Sequence, residues 1–207
     1  MPILKLIYSV CFAAFLLTHG IRITHAEQNP QEFSQPLIVN SATEIDVEIK
    51  TSVIKLMDQF AAVVNSGRKE IIGEFMRFYA DRDASFIKNS KLYDPFLADK
   101  IIGQENLEMN RDQYINYLYH ISSIPLTYSM NIKVTNVSND KNGNITAAIS
   151  MNEISVAAIK NSANLQNDPN NKNNVKINVA TNCNISLRRS STLIITGSNC
   201  IEKIRPQ

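Results

Sequence analysis

The sequence predicts an α+β fold in which helices come first and a curved antiparallel sheet is packed on them. Two rhythms and one turn signal predict it. Before Pro125 apolar residues recur every three or four positions, and after it they recur every second position. Asp140-Lys141-Asn142-Gly143 then separates two alternating runs, as a hairpin turn does.

The chain opens with Lys5 and an apolar run from Leu6 to Leu17, too short to span a bilayer. Thr24-His25-Ala26 supplies acceptable residues for a cleavage site, so residues 1–26 read as a secretory signal removed near Ala26. The expected location is periplasmic or secreted. Residues 27–42, with Pro30 and Pro36, read as an extended arm, and residues 43–207 as one domain.

Within that domain Ile49, Val53, Leu56, Met57, Phe60, Val63 and Val64 form one stripe of a helix from Thr43 to Ser66. Gly67 ends it. Ile71, Ile72, Phe75, Met76 and Tyr79 line a second helix, Arg68 to Tyr79. A short strand is expected at Ala84–Ile87, then a mixed stretch over 88–109 with a turn at Asp94-Pro95. Asn110 and Gln113 stand at capping-box spacing and start a third helix bearing Tyr114, Tyr117, Leu118 and Ile121.

The sheet begins with Leu126, Tyr128, Met130, Ile132 and Val134 on one face. Ile145, Ala147, Ile149 and Met151 begin the return strand. The apparent change of phase to Ile154 and Val156 predicts a bulge near Asn152-Glu153. Residues 161–174 are asparagine-rich and read as a solvated loop. Val175, Ile177, Val179, Cys183, Ile185 and Leu187 share a parity and should face inward. After a turn at Arg189–Ser191, Leu193 and Ile195 continue the pattern. A bulge at Gly197 then brings Cys200 opposite Cys183. Facing residues of an antiparallel pair stand within disulfide range, so a Cys183–Cys200 bond is expected.

Removing residues 1–26 takes away Lys5, Arg22, His19 and His25 and no acid. What remains has 19 basic and 19 acidic residues, with His120 as its one histidine. A neutral chain carries no electrostatic footprint for nucleic acid. One histidine excludes a multi-histidine metal or catalytic centre, and no cofactor is expected. Two cysteines in an exported chain again favour the disulfide.

Paired opening helices, the segments Tyr79-Ala80-Asp81-Arg82-Asp83-Ala84-Ser85-Phe86 and Ile102-Gly103-Gln104-Glu105-Asn106-Leu107, and the closing strands together resemble the nuclear transport factor 2-like superfamily. Its SnoaL-like and ketosteroid-isomerase-like members belong there. The resemblance covers residues 43–205. It implies a cone-shaped curved sheet around the helices, often with an apolar pocket at the open end. It also implies enzymes, ligand binders or dimerising scaffolds without choosing among them. A homodimer through the sheet is one such implication.

By that resemblance Asp94, a carboxylate before proline, is the catalytic candidate as a general base, although its spacing departs from the family pattern. Asp81 and Asp83 read either as a cation site or carboxylate pair, or as residues that cap a helix end or precede a strand. His120 reads as a base or as a charge near the last carbonyls of its helix. Tyr114, Tyr117, Tyr119 and Tyr128 line a pocket or fill the core. Arg188-Arg189 reads as an anion site or as a solvated hairpin tip. The favoured function is an exported non-enzymatic module that binds a protein partner or an apolar small molecule in the periplasm. The alternatives are an isomerase- or dehydratase-like enzyme using Asp94, and a component of an envelope-spanning secretion system.

Overall fold

A computed structural model describes residues 47–97, 100–140, 142–158 and 174–206. The signal, the arm and all but the last residue of the asparagine-rich loop lie outside the described residues.

Helix α1 spans Val47–Asn65 and buries Ile49, Val53, Leu56, Met57, Phe60 and Val64, the stripe that the spacing predicts. Gly67 ends it with a φ of 62°, a left-handed conformation that glycine adopts without steric cost. Helix α2 spans Lys69–Tyr79 and turns Ile72, Phe75 and Met76 inward. Helix α3, Arg111–Ser123, opens with the predicted capping box. The Asn110 side chain accepts from Gln113 N–H, and Gln113 Oε1 accepts from Asn110 N–H, both at 2.9 Å.

Strands β1 (Ala80–Tyr93), β2 (Ile101–Met109), β3 (Thr127–Asn139), β4 (Asn144–Ala158), β5 (Asn174–Arg189) and β6 (Leu193–Pro206) form one sheet in the order β2-β1-β6-β5-β4-β3. The sheet is curved and unclosed and packs on the helices, an α+β cone. It is mostly antiparallel; β1 and β6 run parallel.

Two sequence expectations need correction. The short strand at Ala84–Ile87 is part of a strand of 14 residues, and most of the mixed stretch belongs to the β1–β2 hairpin. Polar Lys88, Ser90 and Glu105 occupy inward positions there and mask the alternation. Second, the bulge near Asn152-Glu153 is absent, because β4 keeps unbroken register with β5 from Asn144 to Ala158. Phase is preserved, so Glu153 is buried and Ile154 exposed. A register shift falls instead between Val134 and Asn136 of β3.

At the other end of the sequence the expected bulge is present: Leu187 pairs with Ile195 and Ser186 with Gly197. Gly197 serves space rather than conformation, since a Cβ there would lie 2.8 Å from Ser85 O of β1. The shift sets Cys183 directly opposite Cys200, and the two form the expected disulfide.

Candidate functional site

Inward residues of neighbouring strands line up in rows across the concave face. One row runs Lys88, Cys200, Cys183, Ile149. The next, two residues further along each strand, runs Glu105, Ser90, Glu202, Thr181, Met151. Glu153 lies one row beyond, on β4, opposite Val179. The alternation of the backbone therefore places three carboxylates and one ammonium inside the fold.

Glu202 and Glu153 find partners within the cluster. Lys88 Nζ pairs with Glu202 Oε1, both side chains being nearly inaccessible to solvent. The Ser90 hydroxyl donates to Glu202 Oε2 at 2.7 Å, and the Thr181 hydroxyl stands 3.5 Å from Oε1. The Tyr128 hydroxyl donates to Glu153 Oε2 at 2.8 Å. Helix α3 closes the cluster with aromatic rings. Lys88 Nζ lies 3.9 Å from the centre of the Tyr117 ring, in cation–π range. Tyr114 stacks on Phe86 with centroids 4.2 Å apart.

Burial sets the proton affinities. It pushes the Glu105 carboxyl up to about 7; Lys88 opposes the shift and Glu202 adds to it. Burial also raises Glu153, with Lys88 and the Tyr128 hydrogen bond opposing and Glu202 reinforcing. The Tyr114 and Tyr128 hydroxyls are raised by burial and by the neighbouring carboxylates, so they stay protonated. The arrangement can hold a proton among carboxylates near neutrality. The space it encloses is about 20 Å³, room for one water. Among the described residues no grouping of His, Cys, Asp and Glu fits a metal ion.

The residues singled out in the sequence are distributed differently. Asp94 sits in the β1–β2 turn, where its Oδ1 accepts from Phe96 N–H at 2.8 Å and Leu97 N–H at 3.2 Å. Asp81 Oδ2 meets Arg188 Nη2 at 3.0 Å, so two of these candidates bind each other. Asp83 lines a surface cleft of about 430 Å³ with Arg82, Glu108, Arg111 and Asp112, a mixture of both signs. His120 lies in the last turn of α3 with its ring 5.5 Å from that of Tyr119. Arg189 is exposed at the β5–β6 tip. Of the four tyrosines, Tyr114, Tyr117 and Tyr128 reach the interior cluster, whereas Tyr119 faces Lys69 and His120.

Sequence reading missed Lys88, Ser90, Glu105, Glu153, Thr181 and Glu202. A signal was present for three of them. Thr181 lies in phase between Val179 and Cys183, Glu202 two residues after Cys200, and Glu153 two after Met151.

No protein-family model matches the sequence, and no match is found among curated proteins. Solved structures do match. A Novosphingobium aromaticivorans protein named as a candidate aromatic ring hydroxylase is 11% identical, with a TM-score of 0.52, over 78% of this chain and 95% of that one. A protein from Kribbella flavida is 9% identical, with a TM-score of 0.51, over 76% and 93%. A type 2 hexachlorocyclohexane dehydrochlorinase is 7% identical, with a TM-score of 0.50, over 78% and 90%. These likenesses are of fold alone: helices packed on a curved, unclosed sheet, the architecture that the resemblance to the nuclear transport factor 2-like superfamily implies.

Proposed function

We propose that this chain is an exported, non-enzymatic module that binds a protein partner on the convex face of its sheet. Carrying this reading is the closed interior. About 20 Å³ admits one water and no organic ligand, and Glu202 and Glu153 are already held by Lys88 and Tyr128. An apolar small molecule is the less supported occupant for the same reason.

The convex face supports the other half of the reading. Its two central rows run Asn89, Ile201, Asn182, Ser150 and Ile87, Asn199, Asn184, Ala148. No charge occurs among these eight positions. Amides and isoleucines desolvate at less cost than ionised groups, and interface centres are depleted in Lys, Glu and Asp. The Cys183–Cys200 bond suits an oxidising compartment, in keeping with export under residues 1–26.

A photo-cross-linking residue placed at Asn182 in cells tests the proposal, with a second placed at Arg82 as a reference. The expected result is a discrete protein adduct from Asn182, lost when Asn184→Arg adds a charge beside it. No adduct from Asn182, or an equal yield of the same adduct from Arg82, would overturn it.

A further inference from the structure

We propose that the rim of the sheet at the β1–β2 turn is a docking surface for an anionic phospholipid bilayer. The pairs Tyr93–Ile101, Leu92–Ile204, Ile177–Pro206, Val156–Lys176 and Thr127–Val156 show that all six strands share this end.

Large apolar side chains are exposed here. Phe96 is 81% and Leu97 56% exposed at the turn, with Ile101 and Ile102 beside them. At the other edge of the sheet Leu126, hydrogen-bonded to Val156, is 60% exposed. Asp94 fixes the turn by accepting the Phe96 and Leu97 amides, so these two side chains are presented on an ordered backbone.

Among the described residues the charge at this end is predominantly positive. The strands and the turn carry Lys91, Lys100, Lys176, Lys203 and Arg205, while the one acid outside the core among the described residues is the turn-forming Asp94. Lys91 and Lys203 are direct neighbours across β1 and β6, a like-charged pair that costs stability unless an anion lies over it. The Arg205 guanidinium rests 5.1 Å from the Tyr93 ring centre. The opposite end is mixed, with Asp81, Asp83, Glu108 and Asp112 among Arg82, Arg111, Arg188 and Arg189.

Aromatic and aliphatic side chains flanked by lysines suit a headgroup boundary, where apolar groups enter and cations stay among phosphates. A protein interface would instead exclude lysine from its centre. Among the described residues no helix is long and apolar enough to cross a membrane.

The chain contains no tryptophan, so Phe96→Trp in the full chain gives a probe seated only at the rim. Vesicles of equal parts phosphatidylglycerol and phosphatidylethanolamine should shift its emission to the blue, and brominated acyl chains should quench it. Adding Lys91→Gln, Lys203→Gln and Arg205→Gln should weaken this binding by roughly a hundredfold, at about tenfold per 1.4 kcal/mol. Unchanged far-ultraviolet circular dichroism would show that these variants fold. An emission unaffected by the vesicles would overturn the proposal. So would equal quenching with phosphatidylcholine, or quenching that survives the three substitutions, because either would show that anionic headgroups and these cations do not drive the contact. A shift produced only by a protein extract would assign the rim to a protein and overturn it as well.

Discussion

Two neighbouring rows of inward side chains cross the sheet, two residues apart on every strand, and different physics holds each one. In the first, the Cys183–Cys200 bond and Ile149 join β6, β5 and β4 by a covalent link and apolar contact. In the second, Ser90, Glu202 and Thr181 join β1, β6 and β5 by hydrogen bonds, and Lys88 leans across from the first row to neutralise Glu202. The disulfide and Ile149 of the first row can each be changed without stranding a charge, because they act separately. The second row cannot, because each charge is buried only on the strength of its partner.

Breaking that compensation should have the largest effect. Lys88→Met leaves Glu202 buried without its cation, beside two further carboxylates, and should cost about 3–5 kcal/mol in urea unfolding. A loss under 1 kcal/mol would mean that solvent reaches Glu202. Opening the first row costs less. The disulfide closes a loop with a sequence separation of 17, and Cys183→Ala with Cys200→Ala should remove about 3 kcal/mol, read as a lower Tm under oxidising conditions.

Glu105 tests the rim of the polar row. Its folded pKa of about 7 lies above the ordinary 4.5, so the folded state binds the proton more tightly than the unfolded state. Its stabilising contribution is complete below pH 4.5 and is lost as pH rises to 7. Allowing for its partial exposure, the loss should be about 1–2 kcal/mol. Glu105→Gln should flatten that part of the pH–stability profile. The smallest effect is expected from Tyr128→Phe, which removes one hydrogen bond to Glu153 and should cost about 1 kcal/mol.

The same contrast explains what the sequence made legible. Where inward positions are apolar, as at Ile145, Ala147, Ile149, Cys183, Ile185 and Leu187, alternation announced the strands, and even the bulge at Gly197 could be placed. The capping box at Asn110 and the turn at Gly143 were legible because their chemistry is local. Where inward positions are polar, hydrophobicity misleads. Lys88, Ser90 and Glu105 concealed the length of β1 and the whole of β2, and Glu153 was read as the site of a bulge when it was the next buried residue. Asp94 attracted attention through its proline neighbour, yet its carboxylate folds a turn. Long-range pairing of charges leaves no periodic trace, so Lys88 and Glu202 could meet only once β1 was laid beside β6.

A double-mutant cycle on Lys88 and Glu202 tests most directly whether the interior cluster is self-compensating rather than held open for a ligand. Lys88→Met and Glu202→Met should each destabilise strongly, and the double variant should recover at least about 2 kcal/mol relative to the sum of the two. Losses that simply add would show that the two charges do not depend on each other, and the account of a closed, internally satisfied core would be wrong.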